Sequence, residues 1–192
     1  MRQGNAETGK AMETGLKNTM QLTDTNRFII QHAKVGDVKG ILDLVNWLAK
    51  QDLMLPRGPQ YVYENIRDFV VVIDETESDV SYDGHKRRDR KIIACCSMHV
   101  LWEDIAEVRS LAIHPDFQKA GLGKKIVEYM VEDAKCLGIK HLFTFTLAQD
   151  FFEALGFEKR NKEELPSKVW GECSRCPKFF KCDEIGMIME IS

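Results

Sequence analysis

The sequence has no apolar run approaching the roughly 20 residues that cross a bilayer. Its first 15 residues, MRQGNAETGKAMETG, also lack the apolar segment of a secretory signal. Two acidic residues in that stretch, Glu7 and Glu13, disfavour an organelle transit peptide. We therefore expect a cytoplasmic protein with no membrane partner.

An excess of basic residues is missing as well. There are 27 Lys and Arg residues against 30 Asp and Glu residues, and the formal net charge is -3. Proteins that bind nucleic acids broadly carry a basic excess, so we expect no nucleic-acid partner. The basic run 86–91 is short and interrupted by Asp89, which is typical of a solvated hairpin tip.

The hydrophobic pattern predicts one mixed α/β domain, which suits a length of 192 residues. Residues 1–26 are polar and without a period, so we expect a flexible tail followed by a domain over 27–192. The predicted order is a strand at Phe28, two helices, three strands in a meander, a helix from Leu122, a strand, a short helix over 149–155, a helix over 165–172 and a strand over 185–191. The oligomeric state stays open, and a homodimer is one alternative.

A glycine-containing loop between a strand and an amphipathic helix is the strongest local signal. Gln118-x-x-Gly121-x-Gly123 opens the helix. Backbone N–H groups at a helix start hold phosphates well, and residues without a side chain allow the close approach. This is not a Walker loop, because no Gly-Lys-Ser/Thr follows at the required spacing, and the first glycine of a dinucleotide fingerprint is missing. The pattern predicts a diphosphate grip, although a glycine-rich helix entry with solvated lysines fits it too; the predicted grip is Gln118, Lys119, Ala120, Gly121, Leu122, Gly123 and Lys124.

Two stretches carry a resemblance to a known family. Residues 106–123, AEVRSLAIHPDFQKAGLG, and residues 151–157, FFEALGF, resemble the motifs of the GNAT acetyltransferase superfamily. The resemblance implies a central, mostly antiparallel twisted sheet flanked by helices in a single domain. It also implies acetyl-CoA as co-substrate, with the backbone of Leu111, Ala112 and Ile113 holding the pantetheine arm and the thioester.

A narrower resemblance is to short N-acetylglutamate synthases and related amino-acid acetyltransferases. It is carried by residues 53–57, 66–71, 98–110 and 177–179. It implies transfer of acetyl to the α-amine of a small amino acid, L-glutamate by preference, as in arginine biosynthesis. The alternatives are another amine or a protein N-terminus as acceptor, or a non-catalytic module that senses acetyl-CoA or a metal.

The resemblance also assigns roles to single residues. Glu107 matches the position of the general base, and Arg57 and Arg109 are candidates to clamp the acceptor's carboxylate. For each arginine a surface ion pair is the alternative. The sequence departs from the family where many relatives carry a tyrosine acid, because Phe152 stands there. Either the thiolate leaves unprotonated, or a water or another hydroxyl serves; the protein hydroxyls considered are those of Tyr129, Thr144 and Thr146.

Cys173-x-x-Cys176-x5-Cys182 concentrates three thiols in one short segment. Cys-x-x-Cys suits zinc or an iron–sulfur cluster, but both usually take four ligands. Asp183 or Cys136 is a candidate for the fourth. The alternative is three reduced structural thiols.

Overall fold

The computed structural model describes residues 28–74, 91–166, 176 and 179–191. The predicted tail, residues 86–90 of the basic run and Cys173 lie outside the described residues. No helix in the described part is long and apolar enough to span a membrane. The main elements are β1 (Phe28–His32), α1 (Val38–Ala49), α2 (Pro59–Glu64), β2 (Phe69–Asp74), β3 (Lys91–Val100), β4 (Ile105–Ile113), α3 (Leu122–Cys136), β5 (His141–Thr146), α4 (Gln149–Glu153), β6 (Glu158–Arg160) and β7 (Ile185–Glu190).

The strands form one seven-stranded sheet in the order β1-β2-β3-β4-β5-β7-β6. All neighbouring pairs are antiparallel except β4 and β5, which are parallel. The predicted meander of β2, β3 and β4 is confirmed, as is the mixed α/β architecture. Strand β6 was not predicted. The helix predicted over 165–172 is wrong at its start, because Leu165 and Pro166 are not helical, and the rest of it lies outside the described residues.

Helices cover both faces of the sheet, which is why β2 is apolar along most of its length. Its residues Val70 and Val72 pack in the cluster that contains α3, whereas Phe69, Val71 and Ile73 pack in the cluster that contains α1. Alternate strand residues point to opposite faces, so a strand covered on both sides reads as a continuous apolar run rather than an alternating one.

Strand β4 carries a β-bulge that changes which residues face α3. Cys95 pairs with Ala112 and Ser97 pairs with Arg109, so β4 has one more residue than β3 between these two pairs. Ser110 lies in the bulge with φ of 52°, a conformation rare for a residue with a side chain. Because of the extra residue, even-numbered side chains face α3 before the bulge and odd-numbered ones, such as Leu111, pack there after it.

Asp37 occupies the residue before α1, but its side chain does not cap that helix. Its Oδ2 accepts a hydrogen bond of 2.8 Å from the backbone N–H of Lys34 instead. The carboxylate therefore closes the turn that precedes α1.

A titratable contact joins β1 to α3. His32 Nε2 lies 3.3 Å from Asp133 Oδ1, and the hydrogen bond with Asp133 raises the pKa of His32 above its ordinary 6.5. Since the folded-state pKa is the higher one, the stabilisation is complete below the unfolded pKa and is lost as pH rises through the folded value. The His32 side chain is 47% exposed, so solvent screening limits the contribution to under about 1 kcal/mol.

We expect His32→Gln to lower the free energy of unfolding by a few tenths of a kcal/mol near about pH 5.5 and by nothing measurable near about pH 9. Urea unfolding of both proteins at the two pH values measures the difference. An equal effect at both would show that the Asp133 contact is not the cause.

Candidate functional site

A cavity of about 570 Å³ opens where β4 and β5 separate. The two strands pair over Ile105–Glu107 and His141–Phe143, and their register stops there although both strands continue. The walls come from β4 (107–111), the end of β5 (144–147), the loop at 53–57, and two segments at 162–165 and 180–184. The cavity therefore lies at the fork between two parallel strands.

Glu107 and Arg109 form an ion pair on the wall of this cavity. Arg109 donates from both Nε and Nη2 to Glu107 Oε2, each at 2.6 Å. The Glu107 side chain is 0% exposed and that of Arg109 is 13% exposed. Because Ala106 and Val108 pack toward α3, the charged pair projects from the opposite face of β4. The predicted base and one predicted clamp residue thus contact each other directly.

A polar network backs this pair from the neighbouring strand. His99 lies opposite Glu107 in the β3–β4 register and is buried. Its Nδ1 is 3.2 Å from Asp68 Oδ2, and its Nε2 is 3.2 Å from Ser97 Oγ and 3.1 Å from the Tyr61 hydroxyl. Burial raises the pKa of Asp68, and the positive charge of Arg109 partly offsets that effect. Sequence reasoning missed this network, although its residues 68 and 99 lie in stretches that carried the resemblance.

Arg57 lines the same cavity from the loop that follows α1. Asn46 holds the loop with two hydrogen bonds, one from its Nδ2 to the Arg57 carbonyl at 3.0 Å and one from the Arg57 N–H to its Oδ1 at 2.9 Å. The guanidinium carbon lies 4.4 Å from the centre of the Tyr61 ring, which suits a cation–π contact. A fixed loop and a stacked guanidinium hold this positive charge in place at the wall.

Phe152 also contributes to the wall, packed edge-on against Phe151 and Phe157 at 5.1 Å each. The structure separates the candidate hydroxyls. Thr144 and Thr146 line the cavity, whereas Tyr129 does not and packs instead against His32 at 5.8 Å.

The two threonine hydroxyls are used differently. Thr144 Oγ1 donates to the Val108 carbonyl at 3.0 Å, across the gap between the separating strands. Thr146 Oγ1 accepts from the Ala148 N–H at 2.9 Å, which leaves its own hydrogen for another acceptor. Of the two, Thr146 is therefore the hydroxyl able to donate to a bound molecule.

The predicted diphosphate grip lies at the start of α3, outside the cavity wall. Gln118 Nε2 donates to the Ile113 carbonyl at 3.3 Å, which ties the loop to the end of β4. Lys119 and Gly121 have positive φ values of 63° and 77°, and Gly121 gives α3 no side-chain cap. The first N–H groups of α3 have no intrahelical acceptor, and the helix dipole adds positive potential there.

Gly123 is required for a reason that the sequence did not indicate. A Cβ atom there would lie 2.8 Å from Ile113 Cδ1 and 3.1 Å from a ring carbon of Phe151. Its absence lets α3 pack closely against the end of β4 and against α4. Gly123 therefore fixes how the helix start sits beside the fork.

Two of the three predicted metal-binding cysteines, Cys176 and Cys182, line the cavity. Cys182 Sγ lies 3.8 Å from Glu184 Oε2. Among the described residues no group of three or more His, Cys, Asp or Glu side chains is placed to hold a metal. With Cys173 outside the described residues, the metal site stays a prediction. Cys95 is a core thiol, and burial raises its pKa to about 12.

The chain is similar to several known proteins. A family model described as an acetyltransferase (GNAT) domain matches residues 69–159. An uncharacterised N-acetyltransferase of Chlorobaculum tepidum is 31% identical over 159 residues, which are 83% of this chain and 94% of the relative. An amino-acid acetyltransferase of Mycobacterium tuberculosis is 27% identical over 149 residues, which are 78% of this chain and 79% of the relative.

Among solved structures, N-acetylglutamate synthase from Neisseria gonorrhoeae, complexed with coenzyme A and N-acetyl-glutamate, is similar with a TM-score of 0.70. The match covers 86% of this chain and 35% of that chain, at 21% identity. At this identity the likeness shows the fold, and it confirms the predicted sheet flanked by helices.

Proposed function

Because the chain belongs to the GNAT acetyltransferase family and is an acetyl-CoA-dependent acyltransferase, we propose that it acetylates the α-amine of a small amino acid, L-glutamate by preference. The observation that carries this proposal is the meeting of a buried carboxylate and two arginines, Glu107, Arg109 and Arg57, at one cavity. The names of its relatives support an amino-acid acceptor. The reaction would then serve arginine biosynthesis.

Acetyl-CoA enters this scheme along the end of β4 and the start of α3. The diphosphate lies against the N–H groups of residues 118–124, with Lys119 and Lys124 adding positive charge. The pantetheine arm follows the backbone of Leu111, Ala112 and Ile113 into the fork. Ser110 Oγ is buried there with no hydrogen-bond partner among the described residues, which fits a wall that receives a polar ligand.

Glu107 is the general base of the proposed reaction. The acceptor amine arrives protonated and must lose a proton before its lone pair attacks the thioester carbonyl carbon. Backbone N–H groups at residues 111–113 stabilise the negative charge that develops on the carbonyl oxygen. The C–S bond then breaks, and Thr146 donates a hydrogen bond to the departing sulfur in place of a tyrosine.

We expect Glu107→Gln to lower kcat by about 100- to 10,000-fold while acetyl-CoA binding is kept, because the amide cannot accept the proton. Release of free thiol from acetyl-CoA, measured over a panel of amino acids, reports the rate. Glu158→Gln is the matched control, since Glu158 is also followed by an arginine two residues later but is exposed on β6.

An unchanged rate in Glu107→Gln would contradict the assigned base. Thiol release with none of the amino acids in the panel would contradict the proposed acceptor class.

Thr146→Val is expected to lower kcat by about 100-fold, the usual effect of removing one donor aimed at developing charge. Thr146→Ser keeps the hydroxyl, which can still donate a hydrogen bond and still accept one from the Ala148 N–H. Its kcat should therefore stay within a few-fold of the wild type. Steady-state kinetics of the two variants tests this. Equal activity of the valine and serine variants would exclude a role for the hydroxyl.

Gly121 and Gly138 allow a matched test of the diphosphate grip. Both have positive φ, 77° and 80°, and both have open space where a Cβ would lie. Each change to alanine should destabilise the protein by about 1 kcal/mol through backbone strain. Only Gly121→Ala should also weaken coenzyme A binding, by about tenfold, because Gly138 follows the far end of α3.

Thermal unfolding and calorimetric titration with coenzyme A measure the two effects. Equal affinities in the two variants would place the diphosphate elsewhere.

A further inference from the structure

Arg109 already occupies one oxygen of the carboxylate that an acceptor amine must reach. Both Arg109 contacts, from Nε and from Nη2, converge on Oε2 of Glu107 at 2.6 Å. The carboxylate is fully buried and the guanidinium is almost so. An ammonium group that approaches Glu107 from the cavity therefore competes with Arg109 for the same carboxylate.

Displacing one partner of a buried ion pair is costly when the other is left uncompensated. A bare amine brings a positive charge for Glu107 and nothing for Arg109. An α-amino acid brings both charges on one carbon, its ammonium for Glu107 and its carboxylate for Arg109. Two buried charges that faced each other are then each paired with the substrate.

We propose that the acceptor enters by exchanging ion pairs, so that the Glu107–Arg109 pair selects amines that carry a carboxylate on the same carbon as the amino group. This inference rests on the proposed function and narrows it to zwitterionic α-amino acids. It also makes peptide N-termini poor acceptors, because their α-carboxylate has been converted to an amide.

Hydrogen bonds hold the backbone of Arg109 in place, so the ion-pair exchange requires a movement of its side chain only. The Arg109 carbonyl accepts from Ser97 Oγ at 3.2 Å and from Cys96 Sγ at 3.7 Å. Ser97 is in turn held by His99, which pairs with Asp68. The negative charge of Asp68, close enough for Arg109 to lower its pKa, adds attraction that keeps the guanidinium on this wall.

The exchange also gives an order to the chemical step. The substrate ammonium gives one proton to Glu107, and its lone pair forms the C–N bond while the thioester C–S bond breaks. The bonding pair leaves on sulfur. The second proton lost by the nitrogen passes through water to the thiolate, and the proton on Glu107 is released to solvent. The N-acetyl product has no ammonium to hold Glu107, so Arg109 returns to Glu107 once that carboxylate is deprotonated, which favours product release.

The test compares L-glutamate with its α-carboxamide, which keeps the size and the side chain but lacks the α-carboxylate. For the wild-type protein we expect kcat/KM for the acid to exceed that for the amide by about 100-fold or more. The amide's amine loses its proton more easily than the acid's, so amine basicity would favour the amide and cannot produce this result.

Arg109→Gln should reduce the acid-to-amide ratio to below about tenfold, with the loss falling on the acid. Arg109→Lys keeps the positive charge but loses the bidentate geometry of the guanidinium group. Its acid-to-amide ratio should lie between that of Arg109→Gln and that of the wild type. Arg160→Gln is the matched control, because Arg160 Nη2 contacts Glu158 Oε2 at 3.3 Å with the same spacing in sequence but on an exposed strand. Its ratio should equal that of the wild type.

A wild-type ratio near one, or an equal fall for both substrates in Arg109→Gln and Arg109→Lys, would overturn the exchange. Retained coenzyme A binding in each variant shows that it is folded. These results differ from a failure of the proposed function itself, in which the wild type would acetylate neither substrate.

Discussion

Parallel strands β4 and β5 share backbone pairing over only three residues each, from Ile105 to Glu107 and from His141 to Phe143. Beyond that point each strand has lost a hydrogen-bonding neighbour on one side, yet buried peptide groups must be satisfied. The Thr144 hydroxyl supplies one bridge to the Val108 carbonyl. The cavity opens at this fork, and the proposed position of the amide and thioester groups of acetyl-CoA is beside the polar groups that line it.

The bulge at Ser110 decides which side chains reach that cavity. Before it, Glu107 and Arg109 turn away from α3; after it, Leu111 and Ile113 pack toward α3. Without the extra residue, alternation along β4 would continue. The odd-numbered side chains before and after Ser110 would then all point to the same face of the sheet. One inserted residue therefore lets a single strand present the charged pair on one face at one end and support the start of α3 on the other face at the other end.

Much of the fold could be predicted because its elements are apolar and regular. Strand β4 belongs to the predicted meander, and helix α3 begins at Leu122, as predicted. Strand β6 could not be predicted, since Glu158, Lys159 and Arg160 are all charged and exposed and show no alternation. Its pairing with β7 holds it in the sheet, which is a tertiary effect that local pattern does not report.

Three residues of the candidate site could be predicted from the sequence, but the contacts between them could not. Resemblance pointed to Glu107, Arg109 and Arg57 separately, as a base and two clamps. That Glu107 and Arg109 share a face follows from their spacing of two on a strand, but their burial depends on the helices that cover it. The position of His99 opposite Glu107 depends on register, which the turn between β3 and β4 sets.

The buried pair is hard to explain by stability alone. Ion pairs removed from water recover little more than their desolvation penalty, and apolar residues of similar volume often stabilise a protein equally well or better. The Glu158–Arg160 pair has the same order and spacing on β6 but stays exposed, where such a pair contributes little. Glu107 and Arg109 are therefore buried and line the cavity, whereas Glu158 and Arg160 are exposed and do not line it. A charge pair that is costly to bury and lies on a cavity wall fits the proposed exchange with a substrate better than a role in stabilising the fold.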